Sequence, residues 1–145
     1  MLAKRIITTL MLKEGILFRS KNFIPDYRYT LNFIDMWSVD EIVLLDITRN
    51  LSFQDEEKKI FLKKMREISK NAYIPITAGG GIRELKDIEK LLKNGADKIV
   101  LNTASIRNTK IINSAAKEFG SQCIVVCIDA KFENNNYHLM EDYGK

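Results

Sequence analysis

Short apolar runs, rich in β-branched residues, recur along the chain at Arg5 to Leu12, Glu41 to Ile47, Ile74 to Ala78, Lys98 to Asn102 and Cys123 to Asp129. Their spacing and composition predict strands, and the longer stretches between them carry helical periodicity. The stretch from Ile82 to Asn94 sets Leu85, Ile88, Leu91 and Leu92 at core spacing, and Gly95 follows as a C-cap. A lysine-rich helix is expected over Glu56 to Lys70. Ile42-Val43-Leu44-Leu45 and Ile124-Val125-Val126-Cys127 are apolar on both faces, as in strands covered on both sides. The alternation predicts an α/β fold with a parallel sheet packed by helices. Asp40-Glu41-Ile42-Val43-Leu44 is echoed by Asp97-Lys98-Ile99-Val100-Leu101, two βα units later. The segment from Phe132 to Gly144, with Asn134-Asn135-Asn136 at its centre, reads as a hairpin after the fifth strand.

Composition narrows the class without changing that picture. The chain has 145 residues, 46% hydrophobic and 29% charged, with a net charge of +4. That fits a single globular domain, and the mild basic excess suits an anionic small substrate but lacks the dense cluster of a nucleic-acid binder. The apolar stretch Ile6 to Leu12 is cut short by Lys13 and Glu14, so it reads as a strand and not as a signal-peptide core. Nothing approaches the roughly 20 apolar residues of a membrane span, and a cytoplasmic protein is expected. Cys123 and Cys127 read as buried thiols on one face of a strand, beyond disulfide reach. With His138 as the only histidine, no metal site is expected, and no cofactor.

The chemistry concentrates where strands end. Ala78-Gly79-Gly80-Gly81-Ile82 lies between a strand and a helix, where glycines admit an anion close to the backbone and the helix start favours negative charge. The same residues also suit a plain tight turn. Asn102 and Thr103, at the end of the next strand, add an amide and a hydroxyl at the same edge of a parallel sheet. Asp46 and Asp129 are carboxylates at strand ends, each readable as an acid or base or as a helix N-cap.

Seven collinear segments carry a resemblance: Met1-Leu2-Ala3-Lys4-Arg5-Ile6-Ile7, Leu45-Asp46-Ile47-Thr48, Gly79-Gly80-Gly81-Ile82, Gly95-Ala96-Asp97-Lys98, Asn102-Thr103-Ala104, Phe119-Gly120-Ser121-Gln122 and Ile128-Asp129-Ala130-Lys131. In this order they resemble the cyclase subunit of imidazole glycerol phosphate synthase, from Met1 to Lys145. The resemblance implies the N-terminal portion, about five β/α units, of a (β/α)8 TIM barrel, which in full takes about 250 residues. It also implies a glutaminase partner whose ammonia crosses the barrel to a phosphorylated substrate. On that basis Gly81, Asn102 and Thr103 match the phosphate site, Asp129 the catalytic general acid and Asp46 a substrate-side carboxylate. Arg5, Glu41 and Lys98 match three of the four charged residues at the ammonia entrance, and Asp97 matches the glutaminase interface.

Two positions depart from the family. Met11 stands where a second catalytic aspartate is expected, and Arg19 where a flexible loop has a lysine. A thioether exchanges no proton, so cyclisation should suffer. A variant group with an apolar residue in that slot converts sugar acetamido groups to acetamidino groups for surface glycans, and that reading is the leading expectation. A histidine-pathway cyclase and an inactive partial barrel are the alternatives. Five strands of eight also predict open sheet edges and self-association.

Overall fold

The computed structural model describes residues 4–18, 20–21, 24–25, 39–48 and 52–141. Strand β1 (Ile7–Lys13) turns at Glu14-Gly15 into β2 (Ile16–Phe18), and β3 (Ser20–Lys21) pairs with β4 (Ile24–Pro25). There follow β5 (Glu41–Asp46), α1 (Glu56–Asn71), β6 (Ile76–Gly79), α2 (Leu85–Lys93), β7 (Lys98–Leu101), α3 (Thr103–Arg107) and α4 (Lys110–Phe119). A 3-10 turn at Ser121–Cys123 leads into β8 (Ile124–Val126), and β9 (Asp129–Glu133) and β10 (Asn136–Met140) close the described chain.

The main sheet runs in the order β2-β1-β5-β6-β7-β8. β1, β5, β6, β7 and β8 are parallel neighbours in sequence order, with helices in the connections from β5 to β8. This is the expected partial TIM-barrel arrangement of alternating β/α units. Period-two alternation sorts the strands into two faces. Leu10, Leu12, Ile42, Leu44, Ile76, Ala78, Ile99 and Leu101 join Phe61 and Met65 of α1, Ile88 and Leu91 of α2, and Ile111 and Ala115 of α4 in one buried core. Each large side chain buried there contributes about 1.5–3 kcal/mol. The opposite face carries Met11, Val43, Leu45, Thr77, Gly79 and Val100 in lateral register.

Several boundaries differ from the sequence reading. The first strand turns back into β2 because Glu14 and Gly15 both adopt positive φ, 53° and 76°, which a two-residue hairpin with the right twist requires. The helix expected from Ile82 starts at Leu85, after a capping box in which Glu84 and Asp87 satisfy each other's backbone N–H groups. The fifth strand is only three residues long, so Cys123 lies in the 3-10 turn and Cys127 beyond β8. Both thiols are free and half-buried, and they do not share a strand face. The terminal hairpin begins earlier than expected, at Asp129, and turns on Asn134 and Asn135 at φ 52° and 61°.

Candidate functional site

Parallel pairing brings the C-terminal ends of β1, β5, β6, β7 and β8 to one edge of the sheet. Met11, half-buried near the end of β1, lies in register with Leu45 on β5 and Phe18 on β2. After β6 the chain makes its glycine turn, with Gly80 at φ 105° and Gly81 at φ 68°. A Cβ at Gly80 would collide with the Asp46 carbonyl, so two adjacent strand ends approach there at a distance only glycine permits. The turn does not feed straight into a helix start. Asp87 Oδ2 accepts the N–H groups of Arg83 (2.9 Å) and Glu84 (3.2 Å), so the first donors after the turn are held by the helix's own capping residue.

Asn102 follows β7 and caps α3, its carbonyl accepting Ser105 N–H at 2.9 Å, and Thr103 opens that helix. The Asn102 Nδ2 donates to Asp129 Oδ2 at 2.9 Å, although the residues are separated by a βα unit. Asp129, exposed at the start of β9, is thus tied to the residue beside the glycine turn. Gly81, Asn102, Thr103 and Asp129 therefore share one rim.

Asp46 is placed differently from a carboxylate that faces substrate. It follows Ile42 and Leu44 on the helix-covered face, and its Oδ2 accepts the Lys58 ammonium at 3.0 Å. Oδ1 accepts Thr48 N–H at 3.0 Å, and Thr48 Oγ1 accepts Glu14 N–H at 2.9 Å, so Asp46 organises the turn after β5 and the hairpin beside it. Lys58 sits over the rings of Phe53 (4.3 Å) and Phe61 (4.9 Å), and burial pushes its ammonium below the usual lysine range, with Asp46 opposing that shift. In the sequence Lys58 is only one of the lysines of the helix expected over Glu56 to Lys70. Its signal is the i, i+3, i+7 spacing with Phe61 and Met65, which places all three on the buried face. Arg19 lies outside the described residues.

At the opposite ends of the strands a second polar group assembles. Glu41, first in β5 and buried, accepts Lys98 Nζ at 2.7 Å through Oε2 and Thr77 Oγ1 at 2.6 Å through Oε1. Burial pushes the Glu41 carboxyl up, but hydrogen bonds from Lys98 and Thr77 and the charges of Lys98 and Arg5 hold it below the usual value. Thr77 was not foreseen, because an isolated threonine in a strand carries no functional signal. Asp97 is exposed, and its Oδ2 accepts Ile76 N–H at 2.8 Å. A cavity of about 580 Å³ adjoins it, walled partly by Ser69, Pro75 and Leu92. Among the described residues no group of three or more His, Cys, Asp or Glu is placed to hold a metal ion, and no helix is long and apolar enough to cross a membrane.

Residues 6–142 match the family model described as histidine biosynthesis protein. The chain is 40% identical over its whole length to the imidazole glycerol phosphate synthase subunit HisF of Exiguobacterium sp., covering 57% of that protein. It is 41% identical to the subunit of the same name from Parabacteroides distasonis, over 94% of the chain and 55% of the relative. For the HisF subunit of Flavobacterium psychrophilum the identity is 42%, over the whole chain and 58% of the relative. The chain thus spans somewhat over half the length of the curated relatives it matches. With a matched segment that runs through every strand of the main sheet, the chain belongs to the histidine biosynthesis protein family.

Proposed function

We propose that this chain forms the N-terminal portion of a cyclase-type subunit of imidazole glycerol phosphate synthase, a barrel that adds ammonia to a phosphorylated substrate. The observation that carries this reading is the bond from Asn102 to Asp129 beside the glycine turn, which gathers anion donors and an exposed carboxylate on one rim. In this reading Gly81, Asn102 and Thr103 hold the phosphate and Asp129 acts as general acid. Hydrogen bonds to a charged acceptor are the strong kind, so a few convergent donors suffice. Asp46 contributes by shaping the turn.

Ammonia enters at the other end, past Arg5, Glu41 and Lys98, from a glutaminase subunit seated near Asp97. The linked pair at the strand starts, Glu41 buried and Lys98 half-buried, supports that assignment. Co-purification with a glutaminase subunit, and its loss when Asp97 and Lys98 are reversed in charge, tests the interface.

The acetamidino-sugar reading now stands second. The relatives named above are imidazole glycerol phosphate synthase subunits, and none bears a glycan-related name. What favours the second reading is Met11, an apolar side chain at the rim where proton exchange is needed. The test is product formation by the complete protein with ammonium supplied directly. Imidazole glycerol phosphate supports the first reading, and an amidino sugar without it supports the second.

A further inference from the structure

We propose that Lys58 is a positioning residue for the anion site: it fixes the Gly80–Gly81 peptide so that the Gly81 N–H faces the phosphate. The inference rests on the proposed phosphate role of that turn. Lys58 Nζ donates to the Gly80 carbonyl at 2.7 Å and to Asp46 Oδ2 at 3.0 Å, from a side chain that is almost wholly buried. The Gly80–Gly81 peptide is trans. In a trans peptide the C=O and the following N–H point in opposite directions. Drawing the Gly80 carbonyl inward to α1 therefore turns the Gly81 N–H outward, to the rim where Asn102 and Asp129 meet.

Such a clamp is needed because both glycines have positive φ and lack side chains that would hold the plane. A Gly80–Gly81 peptide without an inward partner for its carbonyl has the freedom to flip, presenting an oxygen to the anion in place of a hydrogen. Lys58 opposes the flip, since it would strand a buried ammonium donor. Asp46 completes the clamp by fixing the ammonium, and the collision that a Cβ at Gly80 would make with its carbonyl shows how closely the two backbones are matched. The rings of Phe53 and Phe61 close off the remaining side, so the ammonium is confined to this position.

The complete protein and its variants Lys58→Met, Lys58→Arg and the double variant Lys58→Met with Asp46→Asn separate this role from a general one in stability. The double variant removes both buried charges, which guards against loss of folding from an orphaned carboxylate. Inorganic phosphate is titrated by NMR, and the Gly81 amide is recorded first without phosphate. The expected result is a displaced Gly81 amide resonance in the folded double variant, with phosphate affinity at least tenfold weaker, and both properties restored by Lys58→Arg. A residue that only stabilises the fold would lower the unfolding midpoint without moving either property. A folded double variant with unchanged Gly81 resonance and phosphate affinity overturns the inference and leaves the phosphate reading intact. If the unaltered complete protein fails to bind phosphate at Gly81, the phosphate reading falls. The phosphate-free Gly81 resonance then decides the clamp alone: displaced in the double variant, it stands, and unchanged, it falls.

Discussion

Lys58 and Asp46 form an ion pair 3.0 Å apart with each side chain only 2% exposed, joining the first turn of α1 to the end of β5. Removing one partner of such a pair leaves an uncompensated buried charge, which typically costs about 3–5 kcal/mol. Asp46→Ala is therefore expected to lower unfolding free energy by that amount in urea titrations. Asp46→Asn with Lys58→Met should recover most of the loss, because no charge is then stranded. Equal stability of Asp46→Ala and the unaltered chain would remove Asp46 from its structural role.

Glu41 offers a pH test. Its carboxyl is held below the ordinary value of 4.5, so its contribution is fully present above that value and is lost as pH falls through the lower folded value. NMR titration should place the Glu41 midpoint below 4.5, and Lys98→Met should move it upward. A midpoint unmoved by Lys98→Met would mean that the 2.7 Å pair does not govern its charge.

The β9–β10 hairpin depends on two left-handed asparagines. For a residue other than glycine or asparagine this conformation costs roughly 1–2 kcal/mol. Asn135→Val should therefore weaken amide-exchange protection across Phe132 and Tyr137, whose rings lie 5.0 Å apart, whereas Asn135→Gly should keep it. Equal protection in both variants would show that the turn does not hold the hairpin.

Met11 predicts a gain of function. A missing acid or base group typically costs 10² to 10⁴ in rate. In the complete protein, Met11→Asp should raise ammonia-dependent formation of imidazole glycerol phosphate by about that factor. No gain, with folding intact, favours the amidino-sugar reading.

Strand β8 ends the sheet with Val125 and Val126 more than one-third exposed, and Ile128 beyond it is 62% exposed. An uncovered apolar edge invites pairing with another chain. We predict that this chain expressed alone self-associates through that edge. Light scattering coupled to gel filtration should give a mass above the monomer, and a monodisperse monomer at high concentration would contradict it.

The parallel strands were legible because nearly continuous apolar runs such as Ile42 to Leu45 mark strands, but the expected cover on both faces is absent among the described residues: Val43 and Leu45 are half-buried, and Val125 and Val126 are exposed. Their ends were less so. Gly79 lies just past the apolar run Ile74 to Ala78, yet it extends β6 because its missing side chain suits the close approach of Val100. The glycine turn and Asn102-Thr103 were visible as donors after adjacent strands, but Lys58 was hidden among the lysines of α1. Lysine normally marks a solvated face, and only its spacing with Phe61 and Met65 betrays the buried one. The bond between Asn102 and Asp129 joins residues far apart in sequence, and strand pairing alone brings them to one rim.

The most direct measurement is a phosphate titration followed by amide NMR. If the glycine turn and the ends of β7 and α3 form the anion site, Gly81, Asn102 and Thr103 shift first and saturate with one common affinity. Shifts scattered instead over the lysine-rich surface of α1, with no saturation at Gly81, would contradict the phosphate site and the cyclase reading built on it.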